Sequence, residues 1–307
     1  MPILRFDQLL FETPTNQLDP ALRTFCKDYP SPLLHIYPDD AYFMQQLQDF
    51  VHDSTMQEVY SITRQRYRDL GWLEKELGKA LQKAHEIDKE IAIDHVAAYV
   101  SGVFDYDSRV AVDRESGSVL ISLDQYALQG MERYSYFGLP MYIVQLSDSG
   151  YLASDIMAEV ARQYIKMESY NPSAQISENP KSPSLLDYMV MEGKVLYFLD
   201  QVMPGKGDHL KMRYTKEQLE WCHRNEAMIW AYLIRGGLLY ERDFSRFHNL
   251  IDEAPKTNVF KDSAPRTPQY IGWQIVRKYM ASNHCTMQQL LENTDSQSIL
   301  KASGYKP

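Results

Sequence analysis

Glu192 stands in the middle of an apolar stripe. Leu185, Met189, Glu192, Leu196, Leu199 and Met203 recur at helical spacing, which puts a carboxylate on a face that should be buried. Such a group is costly there unless it is paired, hydrogen-bonded, protonated or bound to a metal ion. Those fates stay open at this point, the plainest being a structural Glu that meets a buried Arg, Tyr or backbone group. Zinc hydrolysis of the common helical kind needs HExxH, in which two His one turn apart aim at one ion and the Glu handles the water. The chain has no HExxH, and its eight His include no pair one turn apart. His223 and Glu226 lie a turn apart, as a surface pair or an acid–base couple would. There is no GxSxG nucleophile elbow and no GxxxxGK[ST] phosphate loop. No metal and no cofactor is expected.

The bulk properties narrow the classes further. A net charge of −9, from 41 acidic and 32 basic residues, argues against a general nucleic-acid binder. It also argues against loose adhesion to anionic lipid. The three cysteines Cys26, Cys222 and Cys285 are odd in number and widely spaced, so they outline neither a disulfide framework nor a CxxC metal pair. Cys222 adjoins His223, but neighbouring helical residues diverge, so packing is the expected role. No stretch reaches the roughly 20 apolar residues of a membrane span, and MPILRFDQLLF lacks the features of a signal peptide.

Elements that could position Glu192 read clearly in the C-terminal half. Ser184 caps an expected helix from Leu185 to Met203. Thr215 and Gln218 form a capping box before a helix ending at Gly236-Gly237. Thr267-Pro268 starts another. Ser154 or Asp155 caps a helix to about Glu168, with Ile156, Val160, Tyr164 and Met167 on its apolar face and Glu159, Arg162 and Lys166 opposite. The loop from Asn171 to Ser184 is the expected mobile surface segment. In the N-terminal half, ILRFDQLLF suits a short strand, and helices are expected from Pro20 to Asp28 and over 39–86. Leu70, Leu73, Leu77 and Leu81 mark a buried face in the latter. IAIDHVAAYVSG, SRVAVD and SVLISLDQY are short and rich in Val and Ile, with Arg114–Gly117 as a hairpin connection. The expected fold class is α+β, with a small, mainly antiparallel sheet over 91–126 and a predominantly helical C-terminal half. One domain is expected over 1–307, its helical and sheet part at 1–150 and its helical part at 151–307.

EGKVLYFLD at 192–200, QLEWCHRNEAMIW at 218–230 and YIGWQIVRKYM at 270–280 together resemble the gliding-motility lipoprotein (GldB) family of bacterial envelopes. That family in turn resembles a degenerate branch of the zincin metallopeptidases. The resemblance implies a zincin-like fold in which Glu192 matches a zincin's third zinc ligand. Aligning Glu159 with the Glu of the lost motif leaves Ala158 and Arg162 where the two His would be, so Arg162 is a candidate partner for Glu192. Tyr270 and Trp273 match an aromatic and glycine segment that lines the cleft in active relatives, although packing explains them as well. Glu159, Arg162, Glu192, Tyr270 and Trp273 are thus the candidate relic cleft, with no catalytic residue assigned. The implied function is a non-catalytic binding or scaffold component whose partners are envelope proteins of the gliding or secretion apparatus. A peptidase-like hydrolase with an atypical metal site is the alternative. Relatives begin this segment just after a lipid-modified cysteine, which implies an anchor upstream of Met1 and a periplasm-facing protein. A native start at Met1 would instead imply the cytoplasm.

Overall fold

The computed structural model describes residues 1–102, 109–128, 143–144, 146–165, 182–253 and 256–307. Its backbone divides into two compact units, Met1–Gln163 and Tyr164–Pro307, each described by itself. The segment 171–181, most of the expected mobile loop, lies outside the described residues, as do Lys166, Met167 and Glu168.

The first unit opens with β1 (Ile3–Arg5) and runs through α1 (Phe6–Glu12), α2 (Leu18–Asp28), α3 (Ala41–His52), α4 (Ser54–Arg66) and α5 (Gly71–Ile87). It continues with β2 (His95–Tyr99), β3 (Val110–Asp113), β4 (Ser118–Ser122) and α6 (Leu152–Tyr164). The expected 39–86 helix is thus three helices. Asp40 and Asp53 supply the stops and starts, each accepting two backbone N–H bonds at the N-terminus of the helix that follows it. On α5 the buried face runs through Leu73, Leu77, Ala80 and Ala84, while Leu81 is only half-buried. ILRFDQLLF is strand only to Arg5, because Phe6, Asp7 and Leu10 bury one face of a helix. The expected start of α6 at Ser154 or Asp155 is also corrected: Asp148 caps a preceding short turn, and the helix begins at Leu152.

The strand order is β1-β2-β4-β3. A mainly antiparallel sheet was expected, and this is corrected: β1 pairs with β2 and β2 with β4 in parallel, and only β3 and β4 are antiparallel. Five helices separate β1 from β2, and a crossover of that length permits parallel pairing. The hairpin at 114–117 forms as expected, with Gly117 at φ +60. β3 returns along the edge, so β2 meets β4 directly. β4 is buried at all five positions, Val119, Leu120 and Ile121 between two buried serines, which is the pattern of an interior strand and not the alternation of a half-exposed one.

The second unit contains α7 (Leu185–Val202), α8 (Asp208–Lys211), α9 (Lys216–Arg235), α10 (His248–Ile251), α11 (Thr267–Ser282), α12 (Met287–Glu292) and α13 (Ser296–Ser303). Capping boxes at Ser184/Asp187, Thr215/Gln218 and Thr286/Gln289 fix three helix starts. After α9 the chain turns at Gly237, where φ is +63. The α+β class holds, and the helical C-terminal half is as expected.

Candidate functional site

α7 and α11 carry two of the three motifs, and they meet at glycine. A methyl group at Gly193 would lie 2.3 Å from the carbonyl oxygen of Gly272, and one at Gly272 would lie 1.8 Å from that of Met189. Neither position accepts a side chain, so backbone packs on backbone. The EG of the first motif and the IGW of the second are therefore two sides of one crossing.

The flanking residues complete the joint. Asp200, eight residues beyond Glu192, accepts hydrogen bonds from Trp273 Nε1 at 2.9 Å, Arg277 Nε at 2.8 Å and Lys211 Nζ at 2.7 Å. Arg277 Nη2 bridges Asp200 and Asp208 at 3.0 and 2.9 Å, and its guanidinium lies 3.6 Å from the Trp273 ring centroid. Lys211 also reaches Asp208 at 3.2 Å. Two cations thus hold two carboxylates. Burial alone would raise the Asp208 pKa, but hydrogen bonds and charge from Arg277 and Lys211 outweigh it and hold that carboxyl below its ordinary value.

Glu192 itself is 4% exposed, in the stripe with Leu185, Met189, Leu196, Leu199 and Met203, all of which are buried. Two residues on, Lys194 is equally enclosed. Its ammonium donates to the Asn293 carbonyl, and burial lowers its pKa to about 8.

A second cluster surrounds Tyr270. The Tyr270 hydroxyl donates to Glu226 Oε2 at 2.9 Å and lies 3.3 Å from His223 Nδ1. The Tyr305 hydroxyl donates to Glu226 Oε1 at 2.7 Å. Burial, then these bonds to a carboxylate, raise the pKa of both phenols. Neither would release a proton readily near neutrality. His223 and Glu226 thus share a phenol, an arrangement that helical spacing alone does not reveal. Beside them Cys222 is buried and its thiol is pushed up to about 12 by that burial, which makes it inert.

Of the candidate cleft residues, Tyr270 and Trp273 are fully buried on α11, which packs on α7 where Glu192 lies. Glu159 and Arg162 belong to the first unit, where they are half-buried and paired at 3.2 Å. Glu192 is in the second. The residues matched to a zinc site do not suit that ion: Ala158 has no donor atom and Arg162 is a cation. Among the described residues, no three His, Cys, Asp or Glu side chains are placed to share a metal ion. Asp200, Asp208, Lys211 and Arg277 were not singled out from sequence. Their signal was available: Asp200 ends the LYFLD run of a motif as its one charged residue, and Trp273 and Arg277 stand one turn apart.

Fold and motif joint together define an α+β protein whose C-terminal helices are locked by glycine contact and paired charges. The chain belongs to the family described as gliding motility protein GldB, whose model matches residues 1–307. This is a family of gliding-motility lipoproteins of the cell envelope. No curated protein and no solved structure matches the chain. No helix among the described residues is long and apolar enough to cross a membrane.

Proposed function

We propose that this protein is a non-catalytic binding or scaffold component of the gliding or secretion apparatus. In this reading it is held by a lipid anchor at the periplasmic face of the envelope and has a single zincin-like domain over 1–307 that has lost its zinc site. The supporting observation is where the motif residues go: Gly193 meets Gly272, and Asp200 binds Trp273 and Arg277, so these residues are taken up in joining helices. A zincin uses the corresponding region to hold an ion, whereas here it joins two helices. Glu192 would then be a remnant of the lost site, kept as a buried carboxylate on α7.

Elemental analysis and a peptidase assay on purified protein test the main reading. Zinc well below one per chain after dialysis and no cleavage of a general peptide substrate are expected. Proteolysis abolished by a chelator would overturn it in favour of a hydrolase with an atypical metal site.

A further inference from the structure

α9 has two faces, and the Tyr270 cluster uses only one of them. Cys222, Ile229 and Leu233 are buried, and Glu226 on the same side bonds Tyr270. On the other side Trp221, Met228, Tyr232 and Arg235 follow at intervals of seven, four and three residues, which places them on one stripe. Met228 is 45% exposed, Trp221 and Tyr232 are half-buried, and Arg235 is exposed. The loop 257–264 adds Phe260, whose ring centroid lies 5.9 Å from that of Trp221 and 5.2 Å from that of Tyr232. Next to it Val259 is 44% exposed. The neck of this loop is closed: the Thr257 N–H and hydroxyl donate to the Ala264 carbonyl at 3.0 and 2.9 Å, and the Ser263 hydroxyl donates to the Thr257 carbonyl at 2.9 Å. The aromatic patch is therefore fixed before any partner arrives.

Trp, Tyr, Phe and Met beside Arg is the composition of the energetic centre of a protein–protein interface, where Lys and Glu are depleted. Arg224, one turn before Met228, and Arg235, at the end of the stripe, are exposed, and neither forms an ion pair among the described residues. In the same unit Arg246 and Arg277 each pair with a carboxylate. The acids near this face stand at its margins. Glu217 lies in the first turn of α9, where the helix dipole favours a carboxylate, and Asp262 adjoins Lys261. A chain of net charge −9 thus presents two unpaired guanidinium groups beside its exposed aromatics, and a guanidinium fork suits a carboxylate. The net charge opposes an anionic bilayer or a nucleic acid, which would meet the field of the whole chain. A protein partner presents its carboxylates locally.

We propose that the outer face of α9, together with Val259 and Phe260, is the docking surface for a protein partner that presents acidic side chains around an apolar anchor. The anchor packs on Met228 and the rings beside it, and the partner's carboxylates take Arg224 and Arg235. The exposed arginines act mainly on encounter rate and salt dependence, and the aromatic centre acts on the rate of dissociation. This surface rests on the reading of the protein as a binding component and says where that binding occurs.

The test replaces Met228 of the full chain with photoreactive benzoylphenylalanine in cells and, in a second strain, does the same at Tyr42, which is 71% exposed in the first unit. Adducts are identified by mass spectrometry. The captured protein is then purified and titrated against the parent, against Met228→Asp and against Arg224→Glu combined with Arg235→Glu. These side chains are exposed, so unfolding curves should match the parent, and Met228→Ala replaces Met228→Asp if the latter does not fold. A protein adduct at position 228 is expected, with binding weakened about tenfold or more in both variants and a flatter salt dependence in the arginine variant. No adduct there, a lipid adduct, an adduct with a second copy of this chain, or a captured protein that binds parent and variants equally overturns the proposal. An adduct at position 42 alone overturns this surface and leaves the binding reading standing, whereas none at either position counts against both.

Discussion

The sheet of the first unit and the α7–α11 joint of the second both lie in buried interiors, but they are built from different materials. β2 and β4 bury Val96, Ala97, Ala98, Val119, Leu120 and Ile121, aliphatic groups whose removal from water drives association. A buried acid beside them, Asp124, is satisfied locally by the backbone N–H groups of Ser101 and Gly102 and the hydroxyls of Ser101 and Ser122. At the helical joint, two glycines bring backbones into contact, and acids and bases from α7, α8 and α11 cross between elements. An aliphatic interior accepts a change of shape at modest cost. A joint of backbone contacts and shared charges does not, because no neighbour can move in to replace what is lost.

The largest effect expected from breaking that difference is at Asp200. Asp200→Ala strips one carboxylate from Lys211, whose side chain is 3% exposed, and from Arg277. Asp208 stays with both cations, but the Trp273 indole loses its acceptor, so the cost should lie at the low end of the roughly 3–5 kcal/mol typical of a broken buried pair. Val119→Ala in the sheet should cost less than Asp200→Ala, about 1–3 kcal/mol, from lost burial and the cavity. Urea unfolding of both variants checks the order. Glu192→Ala should also destabilise, by about 1–3 kcal/mol, because it truncates a side chain that is 4% exposed within the apolar stripe of α7. A variant melting like the parent would mean that Glu192 is structurally idle.

Lys194 sharpens the comparison through pH. Its folded pKa of about 8 lies below the ordinary 10.5, so between those values the unfolded chain holds a proton that the folded one lacks. Stability from this group therefore rises as pH increases from 8 towards 10.5, by about 3 kcal/mol over the whole window. Tyr270 and Tyr305, with raised pKa values, act in the opposite sense above pH 10. Lys194→Met should remove the rise between pH 8 and 10, and an unchanged slope would contradict this origin. The smallest effect belongs to the half-exposed pair in the first unit. Arg162→Ala should cost within about 1 kcal/mol, since partly exposed ion pairs contribute little.

The same contrast decides what could be read from sequence. Helix starts at Ser184 and Thr215 were legible because a cap is a local event with its own residue types. The strands were legible from composition, but their pairing was not: a short Val-rich run does not reveal which neighbour it meets. Antiparallel order was inferred from one hairpin, whereas β2 and β4 pair across it. Glu192 stood out as an acid in an apolar stripe. Gly193 and Gly272 did not, because a glycine that admits another backbone resembles one that merely weakens a helix. The ion cluster around Asp200 combines residues from three helices, which hydrophobic periodicity cannot bring together. Glu159 and Arg162, read both as a polar face and as part of a relic cleft, pair with each other at 3.2 Å.

The motif residues of α7 and α11 form an architectural joint. Two glycine substitutions measured side by side by urea unfolding test it most directly. In Gly272→Ala the new methyl would meet the Met189 carbonyl at 1.8 Å, and backbone cannot move aside as a side chain can. A loss of about 3 kcal/mol or more is expected, the upper range for overpacking. In Gly78→Ala, on α5 of the first unit, the methyl meets nothing within 4 Å, and better helix propensity should add up to about 1 kcal/mol. That opposite pair of signs is the predicted result. A Gly272→Ala protein as stable as the parent would contradict it, for α7 and α11 would then not be held by the contact described.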